Sequence, residues 1–260
     1  YFLHGISYPE EADKQIKAWA DETKSEGKIR FFGFSTHSNM EDCLIGAAKL
    51  GWIDGIMLTY NFRVMHSDKM KKAVDNCYRA GIGLTAMKTQ STGWGSKGGP
   101  LNDKEQALLN RFERKGLSSG QAKLKAVWDD DRIASICSYM TNMRYLSENA
   151  SAAMDNKKLS DHDIDCLKDY ARKTASSYCA GCKHICESII DGKVPISAVM
   201  RYLMYSPCYG ESERAKSAFK ELHSEVRGRM VVMDFRDAEN RCPQGMPIGR
   251  LIREAVIELA

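Results

Sequence analysis

The stretch Gly27-Lys28-Ile29-Arg30-Phe31-Phe32-Gly33-Phe34-Ser35-Thr36-His37 decides how the first half of the chain is read. A glycine that ends a helix leads into a short apolar run, residues 29–34. A polar group of Ser, Thr and His then stands at the carboxyl end of that run. Helix end, strand and polar strand end, in that order, form the repeating unit of a parallel sheet wound with helices. The same unit recurs on both sides. Upstream, residues 1–6 predict a strand, and Ala12, Ile16, Trp19, Ala20 and Thr23 repeat at helical spacing up to the Glu26-Gly27-Lys28 step. Downstream, a helix entered near Ser38-Asn39 carries Cys43, Leu44, Ala47 and Ala48 on one face. A strand over 53–59 and a helix marked by Met70, Ala73, Val74, Cys77 and Tyr78 follow, and Gly81-Ile82 opens a fourth strand that runs to Met87.

A Gly-rich polar loop over 89–103 comes next, of the kind that carries function when it follows a parallel strand. Residues 105–114 and 119–128 read as helices, 133–137 as a fifth strand, and Met143, Leu146, Ala150, Ala153 and Met154 as the stripe of the helix after it. The polar Asp155-Asn156-Lys157-Lys158 marks a boundary, which gives one domain over 1–157 and a second over 158–260. Beyond it the periodicity is all helical. Ser160-x-x-Asp163 resembles a capping box, Val199 and Leu203 mark a further helix, 211–222 another, and 247–260 a last one with Ile248, Leu251, Ile252, Ala255, Val256 and Leu259 on one stripe.

The chain has 260 residues, 43% hydrophobic and 28% charged, the composition of a folded globular protein. Its 38 basic residues interleave with 34 acidic ones, so the formal charge of +4 makes no electrostatic case for nucleic acid or a membrane surface. The most apolar region, 45–62, is broken by Lys49 and Asp54, too short a run for a membrane span. Tyr1-Phe2-Leu3-His4 lacks the basic lead of a signal peptide, and the first residue is not Met. A parallel barrel needs eight strands and about 250 residues to close, whereas five units leave two open edges. The expectation is a barrel truncated at its amino end; an open doubly wound sheet is the alternative.

The motifs at the strand ends bear on the family. Leu3-His4-Gly5, the run from Gly27 to His37 quoted above, Tyr60-Asn61, Gly81-Ile82-Gly83-Leu84-Thr85-Ala86-Met87-Lys88 and Ser147-Glu148-Asn149 together resemble an aldo-keto reductase, in that family's order and spacing, over residues 1 to about 155. The resemblance implies a partial (β/α)8 TIM barrel, about strands 4 to 8, with three upstream units absent. It implies NADP(H) held at the carboxyl ends of the strands and hydride exchange between nicotinamide and a small carbonyl or alcohol substrate. In the family a Tyr whose pKa is lowered by a Lys and an Asp supplies the proton, as a phenol titrating near 10 must be tuned to work at neutral pH. His4 matches the family's catalytic histidine; the Tyr, Lys and Asp would lie upstream of Tyr1, so the printed chain is expected to be inactive alone.

The same resemblance places Ser35, Thr36 and Asn61 at the nicotinamide carboxamide, with Met57 where a Gln often contributes and Met87 where many members stack an aromatic ring. Lys88 and the loop 89–99 fall where the pyrophosphate is covered, and glycine N–H groups suit phosphate oxygens. Asn142 and Arg144 match the adenosine phosphate, and Glu148 and Asn149 the adenine. His37 stands near the substrate pocket or serves its own loop.

Nine cysteines complete the picture. Cys43, Cys77, Cys137 and Cys166 are scattered among apolar neighbours and read as buried thiols. Cys179-x2-Cys182-x3-Cys186, with Cys242-Pro243 remote, resembles the ferredoxin-type [4Fe-4S] signature, whose usual run is C-x2-C-x2-C with a distant Cys-Pro. Some aldo-keto reductases carry such a helical, cysteine-rich C-terminal extension, and Cys242-Pro243-Gln244-Gly245-Met246-Pro247-Ile248 is close to its closing motif. The x3 interval leaves Cys186 and Cys208 as rivals for one ligand position. Zinc with His184 as a nitrogen ligand is the alternative metal, and packed thiols without metal a third reading. The expected protein is thus an NADP(H)-dependent oxidoreductase with an iron–sulfur tail, a possible redox partner and a cytoplasmic location. A non-enzymatic metal-binding or electron-transfer module on a degenerate barrel is the rival.

Overall fold

Gly33 opens the second strand and packs it against the third. A Cβ at this position would lie 2.1 Å from the Gly55 carbonyl oxygen, so only glycine lets the two backbones approach. The computed structural model describes residues 1–90 and 103–260, without the side chains of 103–105, 109 and 206–209. Within them the chain is an α/β fold on a five-stranded parallel sheet: β1 (Phe2–Leu3), β2 (Gly33–Thr36), β3 (Gly55–Thr59), β4 (Gly83–Met87) and β5 (Ser135–Cys137). Each strand is shorter than its apolar run. Residues 29–32 stay outside the ladder, where the Asp54 carboxylate accepts the Phe32 N–H at 2.7 Å and the Lys24 ammonium at 2.6 Å.

The strand order is β1-β2-β3-β4-β5. A doubly wound sheet reverses direction at a switch point. This sheet never reverses, which is the winding of a barrel arc, and helices lie between and after its strands. Those helices are α1 (Lys14–Ser25), α2 (Met40–Leu50), α3 (Asp68–Arg79), α4 (Asp103–Glu113), α5 (Ser119–Trp128) and α6 (Met143–Met154). Alternation along the strands turns Phe34, Ile56, Leu58, Leu84 and Ala86 toward Leu44, Ala47, Met70, Ala73, Val74 and Cys77 of α2 and α3 in one buried core. The other set of side chains faces the opposite side. Cys43 and Cys77 are buried as expected, but Cys137 is exposed, because β5 is an end strand, and Cys166 is only partly covered.

By its contacts the chain divides into two compact units, the first reaching Ala171 and the second running from Arg172 to Ala260. The sheet unit therefore extends beyond the polar stretch at 155–158. Helix α7 (Asp161–Lys173) begins with the anticipated box: Asp163 accepts the Ser160 N–H at 2.8 Å, and Ser160 Oγ accepts the Asp163 N–H at 3.3 Å. Leu159 and Leu167 then pack on Phe62, Leu108, Phe112 and Leu117, which holds this segment to the sheet unit.

The second unit is helical: α8 (Lys183–Cys186), α9 (Ile196–Tyr209), α10 (Ser212–Lys220), α11 (Ser224–Val232), α12 (Arg236–Arg241) and α13 (Ile248–Leu259). Val199, Met200, Leu203, Phe219, Leu251, Ile252 and Ala255 form its core. Helices α8, α11 and α12 carry no clear apolar stripe in sequence; in α11 Met230 is buried whereas Val231 and Val232 are exposed. None of the helices among the described residues is long and apolar enough to cross a membrane.

Candidate functional site

The carboxyl ends of the strands bring together most of the polar residues singled out above. His4 follows β1, and its Nδ1 lies 3.1 Å from Ser35 Oγ on β2. That hydroxyl also accepts the Gly5 N–H at 3.1 Å. With one lone pair so engaged, Ser35 can donate its proton to Nδ1, an arrangement that leaves Nε2 of His4 as the N–H donor. The His37 ring stands 5.5 Å from the His4 ring, centroid to centroid. In register with Ser35 run Met57, Thr85 and Ser135, one side-chain row on the face away from the helices. The next row holds Thr59, Met87 and Cys137.

Thr36 does not join this group. It points to the helix side, buried against Cys43 with its hydroxyl donated to the Ser38 carbonyl at 3.1 Å, since adjacent strand residues face opposite ways. Thr59 does lie on the face that Thr36 leaves. Its Oγ1 is buried without a hydrogen-bond partner among the described residues, on the same face as Ser35 and Met87. Sequence reading overlooked it, although its parity with Met57 gives the face. Asn61 is fully buried and serves the backbone: Nδ2 donates to the Lys88 carbonyl at 3.1 Å and Oδ1 accepts the Arg63 N–H at 2.9 Å. It ties the ends of β3 and β4 together and supports Lys88, whose φ of 55° is unusual for a non-glycine residue. The Lys88 side chain is exposed, and residues 91–102 of the glycine-rich loop lie outside the described residues.

Four more candidates stand on or next to α6. Asn142 caps it by accepting the Tyr145 N–H at 3.0 Å, and the exposed Arg144 guanidinium lies 5.0 Å from the Tyr145 ring. Glu148 accepts the Ser118 hydroxyl at 3.4 Å, and Asn149 is buried. These residues lie along the start of α6, and of the four only Asn149 is buried.

In the helical unit, Cys179, Cys182, Cys186 and Cys242 all line one small cavity, together with Met200, Met246 and Ser197. Cys182 is the N-cap of α8 and Cys186 its last residue, so the x3 interval puts both on one side of a single helical turn. Gly181, at φ 83°, turns the chain back between Cys179 and α8. Burial pushes the Cys186 thiol up to about 12, helped by Glu187 and by the other three cysteines, so its metal-free thiolate is disfavoured. Among the described residues no three His, Cys, Asp or Glu side chains converge closely enough to hold a single metal ion. His184 does not line the cavity. The Cys208 side chain lies outside the described residues.

No family model matches the sequence, and no curated protein does. Among solved structures the chain is similar to an aldo-keto reductase from Bacillus halodurans, in its holo form (20% identity, TM-score 0.49) and its apo form (19%, 0.49). It is likewise similar to a thermostable aldo-keto reductase in complex with the inhibitor epalrestat (18%, 0.47). Each comparison covers 65% of this chain and between 57% and 60% of the other, so the chain spans less than two thirds of those proteins' length.

Proposed function

We propose that this chain is the later part of an aldo-keto-reductase-type barrel that interconverts a carbonyl and an alcohol with NADP(H), joined to a helical unit that holds a [4Fe-4S] cluster. The observation that carries the first half is the assembly of His4, Ser35, Thr59 and Met87 at the carboxyl edge of a sheet wound in one direction, where parallel barrels build their sites. Nicotinamide supplies the hydride when bound. Ser35 holds His4 so that Nε2–H is offered to a carbonyl oxygen, which orients the substrate and favours negative charge developing on that atom. The unpartnered Thr59 hydroxyl suits the carboxamide of the nicotinamide, and Met57 and Met87 give its ring apolar contact.

By the resemblance in sequence, the proton donor would be a Tyr. Tyr60, the phenol nearest the site in sequence, is unsuited: burial and the Asp130 carboxylate, to which its hydroxyl donates at 2.6 Å, raise its pKa, whereas an acid–base phenol needs it lowered. The chain alone is therefore expected to bind cofactor without turnover. Turnover by the 260-residue chain would overturn this part of the reading, as would the absence of any NADP+ binding by calorimetry, which would favour an electron-transfer module.

The donor set supports the cluster. Four thiols line one pocket whose lining is mostly apolar, the donor type and setting that suit an iron–sulfur centre. Such a cluster supplies one-electron transfer. Cys186, not His184, is the residue that joins Cys179, Cys182 and Cys242. Anaerobic purification should give a brown protein with equal iron and acid-labile sulfide, lost in Cys186→Ser. Colourless protein with stoichiometric zinc would refute it.

A further inference from the structure

A closed ring of three hydrogen bonds joins elements that sequence keeps far apart. Gln90 Nε2 donates to Asn149 Oδ1 at 2.9 Å, Asn149 Nδ2 donates to Ser138 Oγ at 3.0 Å, and Ser138 Oγ donates to Gln90 Oε1 at 3.2 Å. Gln90 follows β4, Ser138 follows β5 and Asn149 lies in α6. Gln90 also fits against a glycine: a Cβ on Gly120, in the first turn of α5, would come within 2.9 Å of Gln90 Nε2. The neighbouring Ser118 and Gln121 of α5 in turn contact Glu148, through its carboxylate and its carbonyl. Three side chains, each donating once and accepting once, form a cyclic network in which every bond strengthens the next.

We propose that Gln90 is a positioning residue for the adenosine half of the dinucleotide. Resting on the cofactor reading above, it fixes the chain that leaves β4 to the stretch of α6 that carries Arg144, Glu148 and Asn149. The chemistry of the ring supports this division of roles. Asn149 has one N–H and one lone pair committed to the ring, which leaves one of each for a base edge. Without Gln90 and Ser138 the carboxamide would be able to rotate, and the base would meet it in two orientations.

The test uses the full chain and the variants Gln90→Met, which keeps the volume against Gly120, Ser138→Ala, and Ser138→Thr, which keeps the hydroxyl. Binding of adenosine 2′,5′-bisphosphate and of nicotinamide mononucleotide is measured by NMR titration, with a thermal melt of each variant. Loss of one positioning hydrogen bond should weaken the bisphosphate about 3- to 10-fold in Gln90→Met and Ser138→Ala. The mononucleotide should bind unchanged, and Ser138→Thr should behave as the parent. Equal weakening of both probes, or a bisphosphate affinity that Gln90→Met and Ser138→Ala leave untouched, would overturn the proposal. Should Gln90→Met fail to fold, Ser138→Ala decides by the same criterion. A parent chain that binds neither probe defeats the cofactor reading itself.

Discussion

Gly33 and His66 show how much a single residue can decide. At Gly33 even a methyl group would press on the Gly55 carbonyl, so Gly33→Ala must separate β2 from β3. The expected cost is about 3 kcal/mol, the upper end for overpacking, read as a lower urea midpoint with an unchanged slope. His66 is held neutral: burial, then the Lys168 and Lys71 charges, lower its pKa from 6.5 to about 4, and its Nε2 is buried without a hydrogen-bond partner among the described residues. The unfolded chain binds a proton there that the folded one refuses. Its contribution to stability is therefore complete above the unfolded pKa and falls as pH drops from about 6.5 toward 4, by about 2–4 kcal/mol in all. Urea titrations across that range should show the loss, and His66→Asn should flatten it. Neither effect is legible in sequence, because a glycine's clearance and a histidine's burial depend on residues distant along the chain.

Among the elements, α7 is the instructive one. Its capping box was legible from Ser160 and Asp163, since the spacing alone brings side chain to backbone. Its second task was not. Asp163 is fully buried and also pairs with Arg111, at 2.6 Å, and Lys115 from the α4 region. These donors hold its carboxyl well below the usual carboxylate range despite burial. Asp163→Asn should cost about 2–3 kcal/mol, less than a fully buried broken pair because Lys115 is more than a third exposed. The loss should appear at neutral pH and shrink below the unfolded pKa of 3.8, where the parent carboxylate is also protonated as pH falls through the folded value. Chemical denaturation at pH 7 and pH 3 checks both. A parent and variant that differ equally at the two values would remove charge pairing as the cause.

At the scale of the molecule, the two hydrophobic clusters of the sheet unit are separate from the one of the helical unit. The cysteine cavity lies wholly in the helical unit. If the cavity holds the proposed cluster, its removal by a chelator should lower hydrogen-exchange protection in α8, α9, α12 and α13 while leaving β2, β3 and β4 as they were. Protection lost equally in both units would contradict a cluster confined to the helical one. The boundary between units also belongs to this scale. The polar 155–158 stretch reads as a boundary, yet the apolar face of α7 returns to Phe62 and Phe112, and side-chain packing outweighs local polarity.

The amino-acid sequence by itself determined the five β-α units, the helical character of the rest and the cysteine set, because periodicity, glycine steps and ligand spacing are local properties of the chain. Only the tertiary structure decided the one-way strand order, the turning of Thr36 away from the site and the entry of Thr59. It alone closed the ring of Gln90, Ser138 and Asn149. Each of these depends on which face a side chain takes or which distant residue it meets, and only packing across the whole fold fixes that.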